Sequence, residues 1–151
     1  MRARHVRHRL TASGFAVILL ALLGACGDPA PPATPIRDSV LSVDRGSARQ
    51  AGILSVQDGS APRILAVLVP GAPGVIRPLQ SGPGTVRSRQ DNNFLIRSRS
   101  LLVAPDIATL VVDCRSDFET NCADGYQARE ERVRDIEALV AEARRALPQL
   151  S

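Results

Sequence analysis

Two apolar runs without alternation, Ile64–Val69 and Ile107–Val112, dominate the middle of this chain. Pro70-Gly71 closes the first and Asp113 the second. Short continuous runs of aliphatic and β-branched residues predict strands covered on both faces in a parallel sheet. Parallel neighbours need a crossover, so a helix is expected between them. The segment Phe94–Val103 fits: Phe94 with Leu101 and Leu95 with Leu102 fall on one helical stripe, Asn92 or Asn93 can cap its start, and Pro105 prevents continuation. A hairpin competes for the same residues, because Val86-Arg87-Ser88-Arg89 echoes Ile96-Arg97-Ser98-Arg99 across Asp91-Asn92-Asn93. That pairing would stack arginine on arginine, which disfavours it against the helix.

Flanking these runs, Ser39–Val43 and Ile53–Val56 are shorter strand candidates, separated by the turn-prone Asp44-Arg45-Gly46-Ser47. Asp58-Gly59-Ser60-Ala61-Pro62 reads as a turn, and so does Gly82-Pro83-Gly84, which does not fit a dinucleotide fingerprint. From Gln127 to Leu147 the pattern changes to helical period. Val133, Ile136, Leu139, Val140, Ala143 and Leu147 mark one face, and Arg129, Glu131, Arg132, Glu142 and Arg145 fill the rest. Asp124 with Gln127 is similar to a capping box at its start. Strand, helix, strand, helix in this order predicts an α/β protein with a partial parallel sheet in a three-layer sandwich.

The N-terminus is of another kind. Arg2, Arg4, Arg7 and Arg9 precede an apolar run from Phe15 to Leu23, and Leu23-Gly24-Ala25-Cys26 follows. This is the layout of a secretory signal, and the run is too short for a membrane span. The Leu-x-Ala-Cys ending resembles the lipobox of bacterial lipoproteins. That resemblance implies a signal peptide over residues 1–25, lipidation of Cys26, and a protein anchored to a membrane and facing the periplasm of the cell envelope. Gly27, where an aspartate usually signals inner-membrane retention, points to the outer membrane, although Asp28 stands next to it. Residues 26–36, rich in proline and alanine, are expected to be an extended tether ahead of a domain over residues 37–151.

Setting the signal aside changes the charge picture. The net charge of +4 is carried by those four arginines, and the other 15 arginines balance 15 acids. Bulk electrostatics therefore gives no case for nucleic acid or an anionic membrane as a partner. Both histidines, His5 and His8, lie in the signal, and the chain contains no lysine and no tryptophan. Beyond the signal a Ser-His-Asp or Cys-His arrangement cannot be built, no lysine is present for a phosphate loop or Schiff base, and no metal or cofactor is implied. Of the three cysteines, Cys26 is the lipid anchor. Cys114 and Cys122 remain to pair as a structural disulfide in an oxidising compartment.

The residues beyond the signal also resemble a known enzyme family. Leu65–Gly74 is similar to the strand and oxyanion loop of α/β-hydrolases. Asn93-Phe94-Leu95-Ile96-Arg97-Ser98-Arg99 resembles a helix start in a group of small bacterial members, and Val111-Val112-Asp113 with Ser116-Asp117 resembles that group's next strand. The likeness spans roughly Ile53 to Leu147 and implies the N-terminal half of that fold, with Gly71 and Ala72 as backbone donors of an oxyanion hole. The family's serine sits in a G-x-S-x-G elbow on a later strand, and its acid and histidine come after that. No G-x-S-x-G occurs in this chain, so the resemblance supplies no catalytic residue.

Two functions follow as expectations. One is an envelope lipoprotein of serine acyl-hydrolase ancestry, inactive alone, which would take a small ester only if a second half or partner strand completed it. The other is a small periplasm-facing lipoprotein that binds or scaffolds. Arg87, Arg89, Arg97 and Arg99 form a possible anion patch under either reading.

Overall fold

The computed structural model describes residues 33–122 and 124–151. The expected signal peptide, Cys26 and the expected tether up to residue 32 lie outside the described residues. No helix among the described residues is long and apolar enough to cross a membrane.

The described residues open with a long hairpin, β1 (Ile36–Arg45) and β2 (Ala48–Gln57). The register pairs Arg45 with Ala48, leaving a two-residue loop in which Gly46 takes φ +73°. Hairpin loops of this length need a positive φ, which glycine adopts without Cβ strain. β3 (Ile64–Leu68) follows, then a second small hairpin of β4 (Leu79–Gly82) and β5 (Thr85–Arg87), joined through Gly82-Pro83-Gly84. Helix α1 (Phe94–Ser98) continues as a 3₁₀ turn, Arg99–Leu102, into β6 (Ile107–Val112). Two helices end the chain, α2 (Asp124–Gln127) and α3 (Glu130–Ala146).

The main sheet has the order β1-β2-β6-β3. β2 runs antiparallel to β1 and to β6, whereas β3 and β6 are parallel neighbours, with Ile64 opposite Ile107. The parallel pair and the helical crossover between its strands agree with the apolar runs. The fold class does not. A mixed four-stranded sheet plus a separate two-stranded hairpin makes a small α+β fold, not a parallel three-layer α/β sandwich. The physical reason is that Ile36–Arg45 and Ala48–Gln57 extend well beyond their apolar centres. Backbone pairing along the full hairpin carries polar residues into the sheet and makes two of its three strand pairs antiparallel.

Both faces of the sheet carry a core. Leu54, Val56, Ala108, Leu110 and Val112 pack under Leu139 and Ala143 of α3. Ile53 and Val111 on the other face pack under Ile76, Val86 and Ile96. Burying each Val, Leu or Ile side chain among these is worth about 1.5–3 kcal/mol. At Gly52, the backbone of β6 and the Leu139 side chain of α3 leave no room for a larger residue, since a Cβ there would lie 2.7 Å from the Val111 carbonyl oxygen and 2.9 Å from Leu139 Cδ2.

Three local expectations are corrected. β3 is an edge strand rather than one covered on both faces, and Ile64, Val67 and Val69 are 51%, 37% and 43% exposed. The crossover helix does not bury its heptad stripe. Phe94 and Leu101 are 70% and 82% exposed, and Ile96 is the buried residue, because a single helical turn offers only one inward position before the 3₁₀ turn rotates the chain. Asn93 does cap it, its Oδ1 accepting from the Leu95 amide at 3.0 Å. The C-terminal helix breaks at Ala128-Arg129, and Val133 faces outward, while Ile136, Leu139, Val140, Ala143 and Leu147 pack on the sheet as expected.

Candidate functional site

At the C-terminal ends of the parallel strands the segments after β3 and β6 meet, the place where open sheets commonly receive ligands. Asp113 organises this end. Its buried carboxylate accepts from the backbone amides of Ile76 at 2.7 Å, Cys114 at 2.7 Å and Arg77 at 3.2 Å, and from Arg77 Nη1 at 3.1 Å. Arg77 itself lies at φ +44°, a strained region for a residue with a Cβ. Its guanidinium also donates to the carbonyls of Cys114 and Phe118, so the bonds it makes to both segments hold it there.

The Cys114–Cys122 disulfide is formed and buried, with Cα atoms 5.6 Å apart. The Cys122 amide donates to the Pro73 carbonyl at 2.7 Å, which ties the bridge to the glycine-rich loop. Gly74, at φ +66°, faces the bridge so closely that a Cβ would lie 3.2 Å from Cys122 Cβ.

Behind this end lies a buried ionic cluster. Asp135 accepts from Arg45 Nε at 2.7 Å and from the Tyr126 hydroxyl at 2.6 Å. Arg132, also buried, donates to the Asp113 carbonyl at 2.7 Å and lies 5.5 Å from the Tyr126 ring centroid. Burial, and then the bond to Asp135, push the Tyr126 hydroxyl up to about 12. Arg115 pairs with Asp117 and Glu131, which raise it above the ordinary arginine range, while Arg115 holds the Asp117 carboxyl below the usual carboxylate range. These side chains join α3 to the hairpin and to the disulfide segment. Helical periodicity alone assigns such charged positions to a solvated face, and their burial is explained by partners elsewhere in the chain: Arg45 and Tyr126 for Asp135, Gln50 and the Asp113 carbonyl for Arg132.

Two clefts open nearby. One, of about 350 Å³, lies between Val40, Ser42, Arg49 and Ala51 of the first hairpin and Pro78, Leu79 and Gln80, with Asp113 and Ser116 at its end. The other, of about 470 Å³, is polar and lined by Ala72, Pro73 and residues 88–93.

Gly71 and Ala72 are exposed in the loop after β3, and Ala72 borders the polar cleft. The four arginines of the expected anion patch do not act together. Arg99 pairs with Asp38, Arg97 is exposed on α1, and Arg87 and Arg89 line a third cleft beside Leu79. Arg49 is the cleft residue that sequence reasoning missed, and its alternation with Ala51 and Ile53 along β2 was the available signal. Among the described residues no cluster of three potential metal ligands occurs. No family model matches this chain, no curated protein matches its sequence and no solved structure matches its fold.

Proposed function

We propose that this chain is a lipid-anchored protein of the bacterial cell envelope that acts by binding, accepting an extended apolar strand from another polypeptide along β3. The observation that carries this reading is the open edge of β3. Ile64 and Arg63 donate to the Asp106 carbonyl at the start of the parallel ladder. By the alternation of a strand, Leu65 and Val67 turn their amides and carbonyls away from β6. Among the described residues no strand lies on that side, and Ile64, Val67 and Val69 expose apolar side chains along it. An edge of this composition is a template for strand addition. Catalysis is not assigned to the chain alone, because it carries no serine elbow and no histidine after His8.

The lipid anchor rests on the Leu-x-Ala-Cys motif, and Cys26→Ser would abolish fatty-acid labelling and release the protein from membranes. Strand acceptance is tested in cells with a photo-crosslinking residue at Val69 and a control probe at the exposed Val133. The expected adduct forms from position 69 alone, maps to an extended apolar segment, and disappears when Val67→Pro is added. Proline there removes an outward amide and leaves the ladder to β6 intact. Adducts equal from both positions, or unchanged by proline, overturn the proposal.

A further inference from the structure

The cleft beside the first hairpin carries a second inference, independent of the β3 edge. We infer that it binds an anionic amphiphile: a carboxylate or phosphate held by Arg49, with its aliphatic part lying over Val40, Ala51 and Leu79. Its volume of about 350 Å³ falls within the range of small-ligand sites.

The polar groups around the cleft are nearly all committed. Asp113 spends its carboxylate on three amides and on Arg77, whose guanidinium is in turn bound to Asp113 and to the carbonyls beyond it. The Gln80 side chain accepts from the Val40 amide and donates to the Gly82 and Thr85 carbonyls. Ser116 Oγ accepts from the Arg49 amide at 2.8 Å. Among the described residues lining the cleft, the Arg49 guanidinium spends no donor, the Ser42 and Ser116 hydroxyls donate to nothing, and Arg77 keeps its Nε–H.

Charge separates an anion from a cation here. Arg45, Arg77, Arg99 and Arg115 each hold a carboxylate, whereas Arg49 has none within 4 Å among the described residues. Across Leu79, Arg87 and Arg89 line the adjoining cleft and likewise make no ion pair among the described residues. The carboxylate nearest to them in sequence, Asp91, is committed to Ser88. Leu79 stands between the clefts 67% exposed, an apolar wall that a tail would cover. A guanidinium at the rim and aliphatic side chains inside match a ligand with a charged head and an apolar body.

The test uses the ¹⁵N-labelled full chain in nanodiscs of zwitterionic lipid, titrated with hexanoate and, as a control, hexylammonium. Hexanoate is expected to give saturable amide shifts at Val40, Ala51 and Leu79, and hexylammonium none. Arg49→Ala should weaken hexanoate about tenfold, and Leu79→Ser should weaken it without changing the preference for the anion. Both side chains face solvent, and unchanged amide positions elsewhere check the fold. A further arm replaces part of the disc lipid with phosphatidylglycerol. Shifts at the same amides without hexanoate identify a membrane headgroup as the natural source, and shifts with free hexanoate alone identify a soluble acid. Equal response to both probes, non-saturating shifts, or an Arg49→Ala variant that binds as well as wild type overturns the inference.

Discussion

Asp135→Asn tests the buried cluster, and the composition of the chain provides the assay. Tyr126 is the single tyrosine and there is no tryptophan, so tyrosinate absorbance near 295 nm reports one group. In the folded protein that group ionises at about 12, against about 10 in the unfolded chain, because burial and the bond to Asp135 favour the neutral phenol. A pKa raised on folding gives stability that is fully present below pH 10 and is lost as pH rises from 10 towards 12. Two units correspond to about 2–3 kcal/mol. Asp135→Asn keeps the volume but removes the charge that Arg45 and Tyr126 both use. Breaking a buried pair typically costs about 3–5 kcal/mol. Arg45 is one-third exposed and can turn to water, so the low end, about 3 kcal/mol, is expected. At neutral pH this appears as a fall in Tm of roughly 10 °C.

The tyrosine titration then separates the causes. In Asp135→Asn the midpoint should fall below 12 yet stay above 10, because desolvation persists while the carboxylate is gone. Arg132 above the ring already pulls the other way in both proteins. Circular dichroism through the titration shows whether the fold survives to the midpoint. A wild-type midpoint near 10 with the fold intact would refute the burial argument. An unchanged midpoint in Asp135→Asn would refute the part assigned to Asp135.

Two further outcomes are expected from stability measurements. Cys114→Ser with Cys122→Ser opens a loop of about nine residues, and the loop-entropy relation puts the loss at about 2.6 kcal/mol, read as a lower urea midpoint with little change in slope. Ile96→Ala should cost about 2–4 kcal/mol and Phe94→Ala less than about 0.5 kcal/mol, in thermal melts, because the former is buried and the latter exposed.

The two apolar runs were legible as strands and as parallel neighbours because β-branched composition and the need for a crossover act locally. The neighbour count of a strand is not local: Ile64–Val69 is apolar enough for an interior position, and nothing within it encodes that β6 alone would pair with it. The second hairpin was hard to see because Leu79-Gln80-Ser81 has neither alternation nor β-branching, which left its turn, Gly82-Pro83-Gly84, and the brief β-branched Thr85-Val86 as signals. The placement of Arg132 and Asp135 was illegible for another reason. A charged residue on a helix reads as solvated unless its partners are known, and those partners, Gln50, Asp113 and Tyr126, come from three separate elements. The anion patch shows the reverse case. Four arginines spaced regularly in sequence are dispersed by a hairpin, a loop and a helix, whereas Arg49, isolated in sequence, occupies the cleft.

The two edges of the sheet are treated differently, and this bears most directly on function. At β1 two outward amides are covered: the Asp38 amide donates to the Gly84 carbonyl at 2.9 Å, and the Val40 amide donates to Gln80 Oε1 at 3.2 Å, so the second hairpin closes the first part of that edge. Arg37 adds a charge beside it, paired with Asp58. These are ordinary protections against strand-to-strand association. Along β3 itself the described residues supply none of them. No proline and no charged residue falls within Ile64–Val69, Pro62 and Arg63 stand before it and Pro70 after it, and the contact made there is Ser151, whose amide and hydroxyl both donate to the Arg63 carbonyl just before the strand. A hairpin and a glutamine cover part of one edge, and under the proposed reading a strand from another polypeptide would cover the other; without such a strand, the exposed apolar residues of β3 favour aggregation of the isolated protein.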